Sequence, residues 1–555
     1  MPKSHSDIRE FDETLFKEWE ALGPEVFHVV GLSKEQIEQA QKELEGYIVL
    51  PGQKTYFKDR MLSNPKFSEA PCMIVYCKSE NDVRIALKLV TFNKQAFTVR
   101  SGGHCTAGFS AGSGILIDLR KMDGIHIDRE ARTVTVDAGV AFGDLNKRLE
   151  DKPNYWHVPG GECEGVCIGG YVQGGGIGFT SGAFGMNCDN VLEMRVMLYD
   201  GSVVVANRHQ NRDLLWAMCG GTGGNFGVLL TVKYELRQVK QVAGVAHAYP
   251  METKEDLEIC AQILDAMHDY VGGPGELYDD AATFQALMVY QNKYHKNDSD
   301  KPLFPVFMLR MMYAREGDVD PATLLDDAKA LMERFKRKGC IVQIERTGTY
   351  REMLKDLLDD PQEQPVITSM PYQDKASRLV TKKISETDWI DILSYFKDQT
   401  PNKMSYMYLE YYGGAIRSAP EGENAFVHRQ SAFDAVMDVF WYKPDEREAA
   451  EVYLQGWINL MEKHWDHGVY QNYASLNVPN YVVNYWGHAA PDLFRVKKKY
   501  DPGDNFTFAQ EIRYASAEEL QVAAPYKINF DISRAINAQI DYAGGAAPGE
   551  HSVSL

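Results

Sequence analysis

Two nucleophilic side chains lie within glycine-rich stretches of the sequence. His104 belongs to RSGGHC, residues 100–105, and Cys163 opens the glycine run of GGECEGVCIGGYVQGGGIG, residues 160–178. Glycine adopts unusual backbone angles at little cost, and small neighbours leave room for a large planar ligand to approach an imidazole nitrogen or a thiol. The two stretches indicate a site for such a ligand, although a single histidine in this setting more often satisfies only a local hydrogen bond.

The fragment GGGIG, residues 174–178, could also be read as part of a dinucleotide fingerprint. That fingerprint requires a preceding strand, a tight turn, a helix and an acidic residue about 20 positions later. The sequence does not place these features convincingly. We therefore do not expect a Rossmann fold, and a nicotinamide-dependent enzyme is the weakest of the alternatives.

Composition and charge exclude several classes of protein. The chain has 555 residues, 44% of them hydrophobic, and a net charge of −19, which would repel a nucleic acid at long range. Its nine cysteines are scattered, unlike a disulfide scaffold or a zinc site, and we predict no metal centre. The chain has no apolar run of membrane-spanning length, and its start does not resemble a secretory signal. We expect an intracellular, cytoplasmic protein that binds neither nucleic acid nor membrane.

The pattern of strands and helices divides the chain into two domains. Short apolar strands alternate with glycine turns and a helix over residues 81–93, for which Asn81 or Asp82 is the expected N-cap. Longer helical segments and aromatic strands follow. We predict the following units: an N-terminal part of the first domain at 1–237, a second domain at 238–462 that binds substrate, a return to the first domain at 463–515, and a partly mobile extension at 516–555.

The segment SYMYLEYYGG, residues 405–414, carries a candidate acid or base. Strand alternation places Tyr406, Tyr408, Glu410 and Tyr412 on one face. Glu410 would then face the cleft between the domains among aromatic rings, or it would lie at a solvent-facing strand edge. Both alternatives remain open from the sequence.

Four motifs occur in order along the chain: residues 99–128, the glycine run after Cys163, LLWAMCGGTGGNFGV at 214–228, and YDPGDNFTFAQEI at 500–512. Together they resemble the berberine bridge enzyme-like branch of the vanillyl-alcohol oxidase flavoprotein superfamily, over about residues 65 to 515. The resemblance implies an α+β, two-domain PCMH-type FAD-binding fold. In this fold the FAD domain is discontinuous, and the α/β substrate domain is built on an antiparallel sheet.

The resemblance also implies that FAD is attached twice, through His104 to the 8α-methyl group and through Cys163 to C6. Cys167 is a competing thiol, but the family usually has glycine at that position. Backbone N–H groups of residues 101–108 would hold the pyrophosphate. The residues implied to bind the cofactor are Arg100, Ser101, Gly102, Gly103, His104, Cys105, Gly108, Cys163, Gly169, Gly170, Gly174, Gly175, Gly178, Gly227, Val228 and Tyr473.

The family motif ending in Asn-Tyr matches Asn472 and Tyr473, so Tyr473 is the expected base for the substrate hydroxyl. A tyrosine has an ordinary pKa near 10 and needs a helper at neutral pH. Glu410 is the expected helper, while Arg417 stands where berberine bridge enzyme carries a glutamate and is the alternative. Val166, three residues after Cys163, is typical of members that react with oxygen.

These implications predict an FAD-dependent oxidase that removes hydride from an alcohol-type C–H bond to flavin N5. Molecular oxygen would then reoxidise the flavin and give hydrogen peroxide. The small-molecule substrate would be a carbohydrate, an aromatic alcohol or a secondary metabolite. Two alternatives stay open: a dehydrogenase with an acceptor other than oxygen, and a flavin-bearing binding protein without turnover.

Overall fold

A computed structural model describes residues 18–19, 21–272, 278–292, 303–359, 370–420, 422–516 and 518–519. The predicted mobile extension lies almost entirely outside these residues. None of the helices in the described ranges combines the length and apolar character needed to cross a bilayer.

The chain first forms a four-stranded sheet. Its strands are β1 (Tyr47–Val49), β2 (Met73–Tyr76), β3 (Phe97–Arg100) and β4 (Ile115–Asp118). They lie in the order β1-β2-β4-β3, with β4 parallel to both β2 and β3. Both central strands are fully buried, as parallel strands covered on two faces must be.

An antiparallel five-stranded sheet follows in the order β5-β6-β10-β8-β9. Its strands are β5 (Ile125–Asp128), β6 (Thr133–Asp137), β8 (Val191–Met197), β9 (Val203–Asn207) and β10 (Val228–Glu235). The buried side chains of this sheet and of one face of the first sheet belong to a single hydrophobic core, whereas the other face of the first sheet packs in a separate small cluster. The glycine-rich segments lie in the connections between these strands.

The second half of the chain builds an antiparallel seven-stranded sheet in the order β15-β12-β14-β13-β17-β18-β16. Its strands are β12 (Val242–Pro250), β13 (Ala282–Asn292), β14 (Leu303–Ala314), β15 (Ile341–Gly348), β16 (Tyr372–Val380), β17 (Tyr406–Tyr411) and β18 (Phe433–Trp441). A short pair, β7 (Trp156–His157) with β11 (Arg237–Gln238), lies where the chain passes from the first half to the second.

Helices connect and cover these sheets. Those of the first half are α1 (Pro24–Val30), α2 (Lys34–Glu43), α3 (Tyr56–Asp59), α4 (Glu80–Asn93), α5 (Phe142–Leu149), α6 (Ile168–Gln173), α7 (Ser181–Phe184) and α8 (Arg212–Met218). Those of the second half are α9 (Lys254–Gly272), α10 (Pro321–Glu333), α11 (Tyr350–Asp359), α12 (Glu386–Gln399), α13 (Ala415–Ser418), α14 (Arg447–Met461), α15 (Tyr481–Trp486) and α16 (Ala490–Tyr500).

The N-cap of α4 differs from the predicted one. Ser79, rather than Asn81 or Asp82, precedes the helix, and its Oγ accepts a hydrogen bond from the backbone N–H of Asp82. The carboxylate of Asp82 instead accepts bonds from the backbone N–H groups of Glu45 and Gly46. Because Asp82 is needed to hold the chain entering β1, a long-range contact overrides the local capping pattern.

The two faces of the seven-stranded sheet have different roles. Strand alternation sends one set of side chains into a core with the long helices α9, α10, α12 and α14. The opposite set packs with α11 and with Phe179 and Tyr473, which come from the segments around the first two sheets. This second face therefore forms one wall of the cleft between the two halves of the molecule.

The C-terminal segment packs back into the first core. Side chains from Trp465 to Ala515 share that core with the strands of the first two sheets. The Tyr470 hydroxyl accepts a hydrogen bond from the Gly176 N–H, 3.0 Å away, within the glycine run. Side chains between Tyr412 and Phe426 also join this core, although they fall inside the segment predicted to form the substrate domain.

Candidate active site

The loop after β3 and the loop before α6 lie against each other. A Cβ on Gly102 would stand 3.0 Å from the Cys167 nitrogen and 3.2 Å from the Gly165 carbonyl oxygen, so a side chain at Gly102 would force the loops apart. The glycines around His104 thus allow the two nucleophile-bearing loops to meet along one side of the cleft.

His104 is held as a neutral imidazole with one nitrogen unused. Its Nε2 is buried and has no hydrogen-bond partner among the described residues. Burial lowers the pKa of His104 to about 4, so the ring is uncharged at neutral pH. An orphaned, uncharged ring nitrogen beside a glycine loop fits a covalent contact with a planar cofactor, because such a contact would satisfy the nitrogen.

The two cysteines of the second loop differ in access. Cys163 is exposed to the cleft, whereas Cys167 is buried as the N-cap residue of α6. The surrounding cleft walls, and then the Glu162 carboxylate, raise the pKa of Cys163 to about 11, and burial raises that of Cys167 to about 12. Neither thiol is activated by its pKa, so accessibility distinguishes Cys163 from Cys167.

Backbone contacts fix the Cys163 loop on α5. The Phe142 N–H donates to the Val166 carbonyl, and the Gly143 N–H donates to the Glu164 carbonyl, both at 2.9 Å. The Val166 side chain is partly buried against the first core. Val166 therefore packs directly behind the loop that presents Cys163.

Most of the predicted cofactor-binding glycines are required by close packing. A Cβ on Gly174 would lie 2.0 Å from Asn472 Oδ1, and one on Gly178 would lie 1.8 Å from the Gly160 carbonyl oxygen. Gly175 has a φ of +109°, which L side chains rarely adopt. A Cβ on Gly170 would meet no atom within 4 Å, so Gly170 borders open space.

The remaining predicted glycines and their neighbours also pack internally. An added Cβ would contact a neighbouring group at each of four further glycines. The contacted groups are Ser101 Oγ for Gly169, the Phe67 ring for Gly108, the Leu62 side chain for Gly103 and the Met197 carbonyl for Gly227. Val228 is buried in β10, and Cys105 has a pKa raised by burial. These positions shape the walls of the site rather than supply charged groups to it.

The side chain of Arg100 serves the fold. Its Nε donates to Asp118 Oδ2 at 2.7 Å, and its other nitrogens donate to the backbone carbonyls of Asp59, Arg60 and Met61. Arg100 is 1% exposed. Because these bonds occupy the guanidinium, Arg100 could contact a cofactor only through its backbone atoms.

Tyr473 and Glu410 form a hydrogen-bonded pair in the cleft. The Tyr473 hydroxyl donates to Glu410 Oε1 at 2.9 Å, and Glu410 is 6% exposed. The alternative that Glu410 lies at a solvent-facing edge is therefore wrong. Arg417, in contrast, donates to the Val271 carbonyl, and it lies on α13 after the Gly-Gly turn.

Burial strongly perturbs both members of this pair. It raises the pKa of Tyr473 well above 10, and the neighbouring Glu410 raises it further. Burial, followed by the charges of Glu162 and Asp434, raises the pKa of Glu410 well above 4.5. Both shifts favour the protonated forms, and ionisation of Glu410 is the step that would make the pair a proton acceptor.

A lysine absent from the sequence-based prediction stands beside the pair. Lys375 Nζ lies 4.4 Å from the centroid of the Tyr473 ring and donates to the Tyr408 hydroxyl at 3.2 Å. It also forms a 2.9 Å ion pair with the buried Asp438. The alternation of YQDKASRLV, residues 372–380, places Lys375 on one face of a strand, but no local signal makes this strand a neighbour of β18.

Strand register brings the polar residues of this face into rows. Arg310, Gln285, Glu410 and Asp434 stand directly opposite one another across β14, β13, β17 and β18. Asp434 accepts a hydrogen bond from Ser377 Oγ at 2.7 Å. Burial raises the pKa of Asp434 to about 7. The cleft wall under Tyr473 is thus a buried strip of carboxyl, amide and guanidinium groups.

Comparisons with known proteins agree with this architecture. Residues 71–207 match the family described as FAD binding domain, and residues 469–513 match the family described as berberine and berberine like. The chain is 24% identical to the FAD-linked oxidoreductase YgaK of Bacillus subtilis over 85% of this chain and 97% of that protein. It is 35% identical to a monolignol oxidoreductase of Arabidopsis thaliana over 33% of this chain and 35% of that protein.

Solved structures share the whole fold. The berberine bridge enzyme-like protein 1 of Physcomitrella patens aligns with a TM-score of 0.74 and 21% identity, over 86% of this chain and 99% of that one. Xylooligosaccharide oxidase of Myceliophthora thermophila, solved with xylobiose, aligns with a TM-score of 0.71 and 19% identity, over 87% and 100% of the two chains. The predicted two-domain α+β fold is confirmed.

The fold, the glycine-rich loops and the matched FAD binding domain define an FAD-linked oxidoreductase. The C-terminal segment that carries Tyr473 narrows this class further. Residues 71–207 and 469–513 resemble the corresponding segments of berberine bridge enzyme-like FAD-linked oxidoreductases, and the chain shares the fold of solved proteins of that type.

Proposed function

We propose that the protein is an FAD-dependent oxidase of alcohols, with Tyr473 and Glu410 as its proton-accepting pair and FAD attached through both His104 and Cys163. The observation that carries the proposal is the 2.9 Å hydrogen bond from the Tyr473 hydroxyl to Glu410, in the cleft to which Cys163 is exposed. In this assignment residues 1–237 and 463–515 hold the cofactor, and residues 238–462 contribute the substrate side.

FAD, when bound, supplies the two-electron acceptor to which an alcohol C–H bond can transfer hydride. The protein must then accept the proton of the substrate hydroxyl. Tyr473 is suited to receive it at its phenol oxygen while passing its own proton to Glu410 Oε1. Because burial raises the pKa of Glu410, this relay strengthens as rising pH ionises the carboxyl, so activity should increase with pH.

Lys375 supports the same direction of proton transfer. Its ammonium group lies over the Tyr473 ring and opposes the repulsion that the neighbouring carboxyl groups would exert on a tyrosinate. Asp438 pairs with Lys375 and holds it beside the ring. The cation therefore reduces the cost of the negative charge that passes through Tyr473.

The donor class is proposed from the aromatic and polar lining. The rings of Tyr408 and Tyr470 meet the Tyr473 ring edge to face, with centroids 6.0 and 4.9 Å away. Aromatic rings beside a strip of polar groups suit a ring-bearing alcohol or a sugar. The relatives include proteins named monolignol oxidoreductase and xylooligosaccharide oxidase, which belong to these two donor classes.

Oxygen is the proposed electron acceptor, with hydrogen peroxide as product. Val166, a small side chain packed behind the Cys163 loop, supports access of oxygen to the cofactor. Hydrogen peroxide release, measured when the reduced protein is mixed with oxygen, tests whether oxygen is the acceptor. Fast reaction with a quinone together with slow reaction with oxygen would favour the dehydrogenase alternative.

Acid precipitation tests the double attachment. The wild type and either single variant, His104→Ala or Cys163→Ala, should retain FAD in the denatured chain, whereas the double variant should release it. Cys167→Ala is the matched control, because Cys167 is the buried thiol of the same loop. Peptide mapping should find flavin on the His104 and Cys163 peptides. Loss of all FAD from Cys163→Ala alone would show that His104 is not a linkage.

A further inference from the structure

Glu162, the residue that precedes Cys163, connects the cysteine loop to the seven-stranded sheet. Gln285 Nε2 in β13 donates to Glu162 Oε1 at 2.7 Å. The Arg310 guanidinium in β14 donates to the other end of the Gln285 amide and to the Leu357 carbonyl. Gln285 and Arg310 are 3% and 4% exposed, so this chain of contacts is shielded from water. We refer to Glu162, Gln285 and Arg310 as the loop tether.

The loop tether ends beside the proposed base. Gln285 stands directly opposite Arg310 on one side and directly opposite Glu410 on the other. Side chains of directly opposed residues in an antiparallel pair project from the same face, with Cβ atoms about 4.5–5.5 Å apart. A single residue of β13 therefore sets the position of the Cys163 loop and borders Glu410.

The loop is fixed independently at its other end. Backbone bonds from Phe142 and Gly143 of α5 hold the carbonyls of Val166 and Glu164. Between these bonds and the Glu162 contact, Cys163 is exposed to the cleft. The α5 bonds cannot determine how closely the loop approaches the seven-stranded sheet, because α5 belongs to the other side of the cleft. Two hydrogen bonds reach this segment from the second half of the chain: Gln285 to Glu162 at 2.7 Å, and the Tyr350 hydroxyl to the Gly160 carbonyl at 3.4 Å. The shorter one, from Gln285, holds the residue next to Cys163.

Electrostatics links the same residue to both reactive groups. After burial, the Glu162 carboxylate is the largest influence that raises the pKa of Cys163, and it acts in the same direction on Glu410. Arg310 offsets part of the cost of burying Glu162. Glu162 thus has two separable properties, a hydrogen bond to the sheet and a negative charge near the thiol.

We propose that Glu162 is a positioning residue that seats the Cys163 loop on β13, so that the thiol reaches the flavin while His104 is left unaffected. This inference rests on the proposed attachment of FAD at Cys163. It predicts that the hydrogen bond of Glu162, and not its charge, is needed for attachment.

Two substitutions separate these properties. Glu162→Gln keeps an oxygen that accepts from Gln285 and removes the charge, whereas Glu162→Ala removes both. Glu164→Ala is the matched control, because Glu164 is an exposed carboxylate that directly follows Cys163 in the sequence, as Glu162 directly precedes it. Peptide mapping by mass spectrometry gives the fraction of Cys163 peptide that carries flavin, relative to the His104 peptide of the same sample.

We expect Glu162→Ala to lower the flavin-bearing fraction of Cys163 about tenfold, because it removes the side-chain oxygen that accepts the hydrogen bond from Gln285. The His104 peptide should stay fully modified. Glu162→Gln and Glu164→Ala should match the wild type. Full modification of Cys163 in Glu162→Ala, or equal losses at Cys163 and His104, would overturn the proposal.

A second measurement applies if wild-type protein carries no flavin on Cys163, an outcome that refutes the proposed attachment itself. The free thiol is then alkylated with iodoacetamide at pH 8, and the Cys163 peptide is quantified. Loss of the Glu162 charge in either Glu162 variant should speed alkylation, because the carboxylate is among the groups that raise the pKa of the Cys163 thiol. Glu162→Ala should speed alkylation more than Glu162→Gln does, because only the alanine variant also loses the hydrogen bond to Gln285 and frees the loop. Equal alkylation rates in Glu162→Ala and Glu162→Gln would refute the tether.

Discussion

Removal of the Tyr473 hydroxyl tests the proposed proton transfer most directly. In Tyr473→Phe the ring and its contacts with Tyr408, Tyr470 and Lys375 remain, but Glu410 loses the hydrogen bond at 2.9 Å. A positioned general base contributes about 10²–10⁴-fold to a rate, so flavin reduction should slow by about 10²-fold or more. Glu410 Oε2 already lacks a partner among the described residues, so both buried oxygens would be unsatisfied, at a cost of roughly 1–3 kcal/mol in the free energy of unfolding.

Anaerobic stopped-flow mixing with a donor identified by peroxide release measures the reduction rate, and urea unfolding measures stability. Tyr411→Phe is the control. Tyr411 follows Glu410 on β17 but points into the opposite core, is 1% exposed, and has a buried hydroxyl without a partner in the described structure. In Tyr411→Phe the flavin should be reduced at the wild-type rate, and the free energy of unfolding should equal or exceed that of the wild type. Reduction of Tyr473→Phe as fast as that of Tyr411→Phe would show that another group accepts the proton.

Two further substitutions test the cleft wall and the glycine run. Burial raises the pKa of Asp434 from 3.8 to about 7, so its protonated form stabilises the fold fully below about pH 4 and this contribution is lost as pH rises through 7. Asp434→Asn should therefore be more stable than wild type above pH 7, by up to about 4 kcal/mol in the free energy of unfolding measured with urea. The difference should close toward pH 4. Free energies of unfolding that change with pH in parallel in the two proteins would contradict this. Gly178→Ala should destabilise the protein by about 1–3 kcal/mol, because its Cβ would meet the Gly160 carbonyl oxygen at 1.8 Å. Gly170→Ala is the control and should not destabilise the protein, because its Cβ would meet no atom within 4 Å. Equal melting temperatures of the two variants would refute this packing argument.

The sequence was most informative where function depends on local pattern. Glycine spacing marks the loops of His104 and Cys163, because a close backbone approach excludes other residues at positions such as Gly102. Strand alternation is enough to place Glu410 on the same face as Tyr408, and the structure shows that face turned to the cleft. These features follow from covalent geometry within a few residues.

Features that depend on strand order could not be predicted in the same way. Lys375 reaches Tyr473 only because β16 is the edge strand beside β18, and Gln285 meets Glu162 only because β13 lies between β14 and β17. Register across a sheet is set by the whole set of pairings, which no local window contains. The helix cap at Ser79 was missed for a similar reason, since Asp82 is committed to a distant backbone.

The return of the C-terminal segment to the first core has a consequence for biosynthesis. The N–H of Gly176 is satisfied by the hydroxyl of Tyr470, and the carbonyl of Gly220 is satisfied by the side chain of Gln471. A ribosome synthesises the glycine run long before it reaches these partners, so the nascent N-terminal half lacks two of the hydrogen bonds of its finished fold. The glycine-rich wall of the site therefore gains its last hydrogen-bond partners only when the segment around Tyr470 and Gln471 has been synthesised.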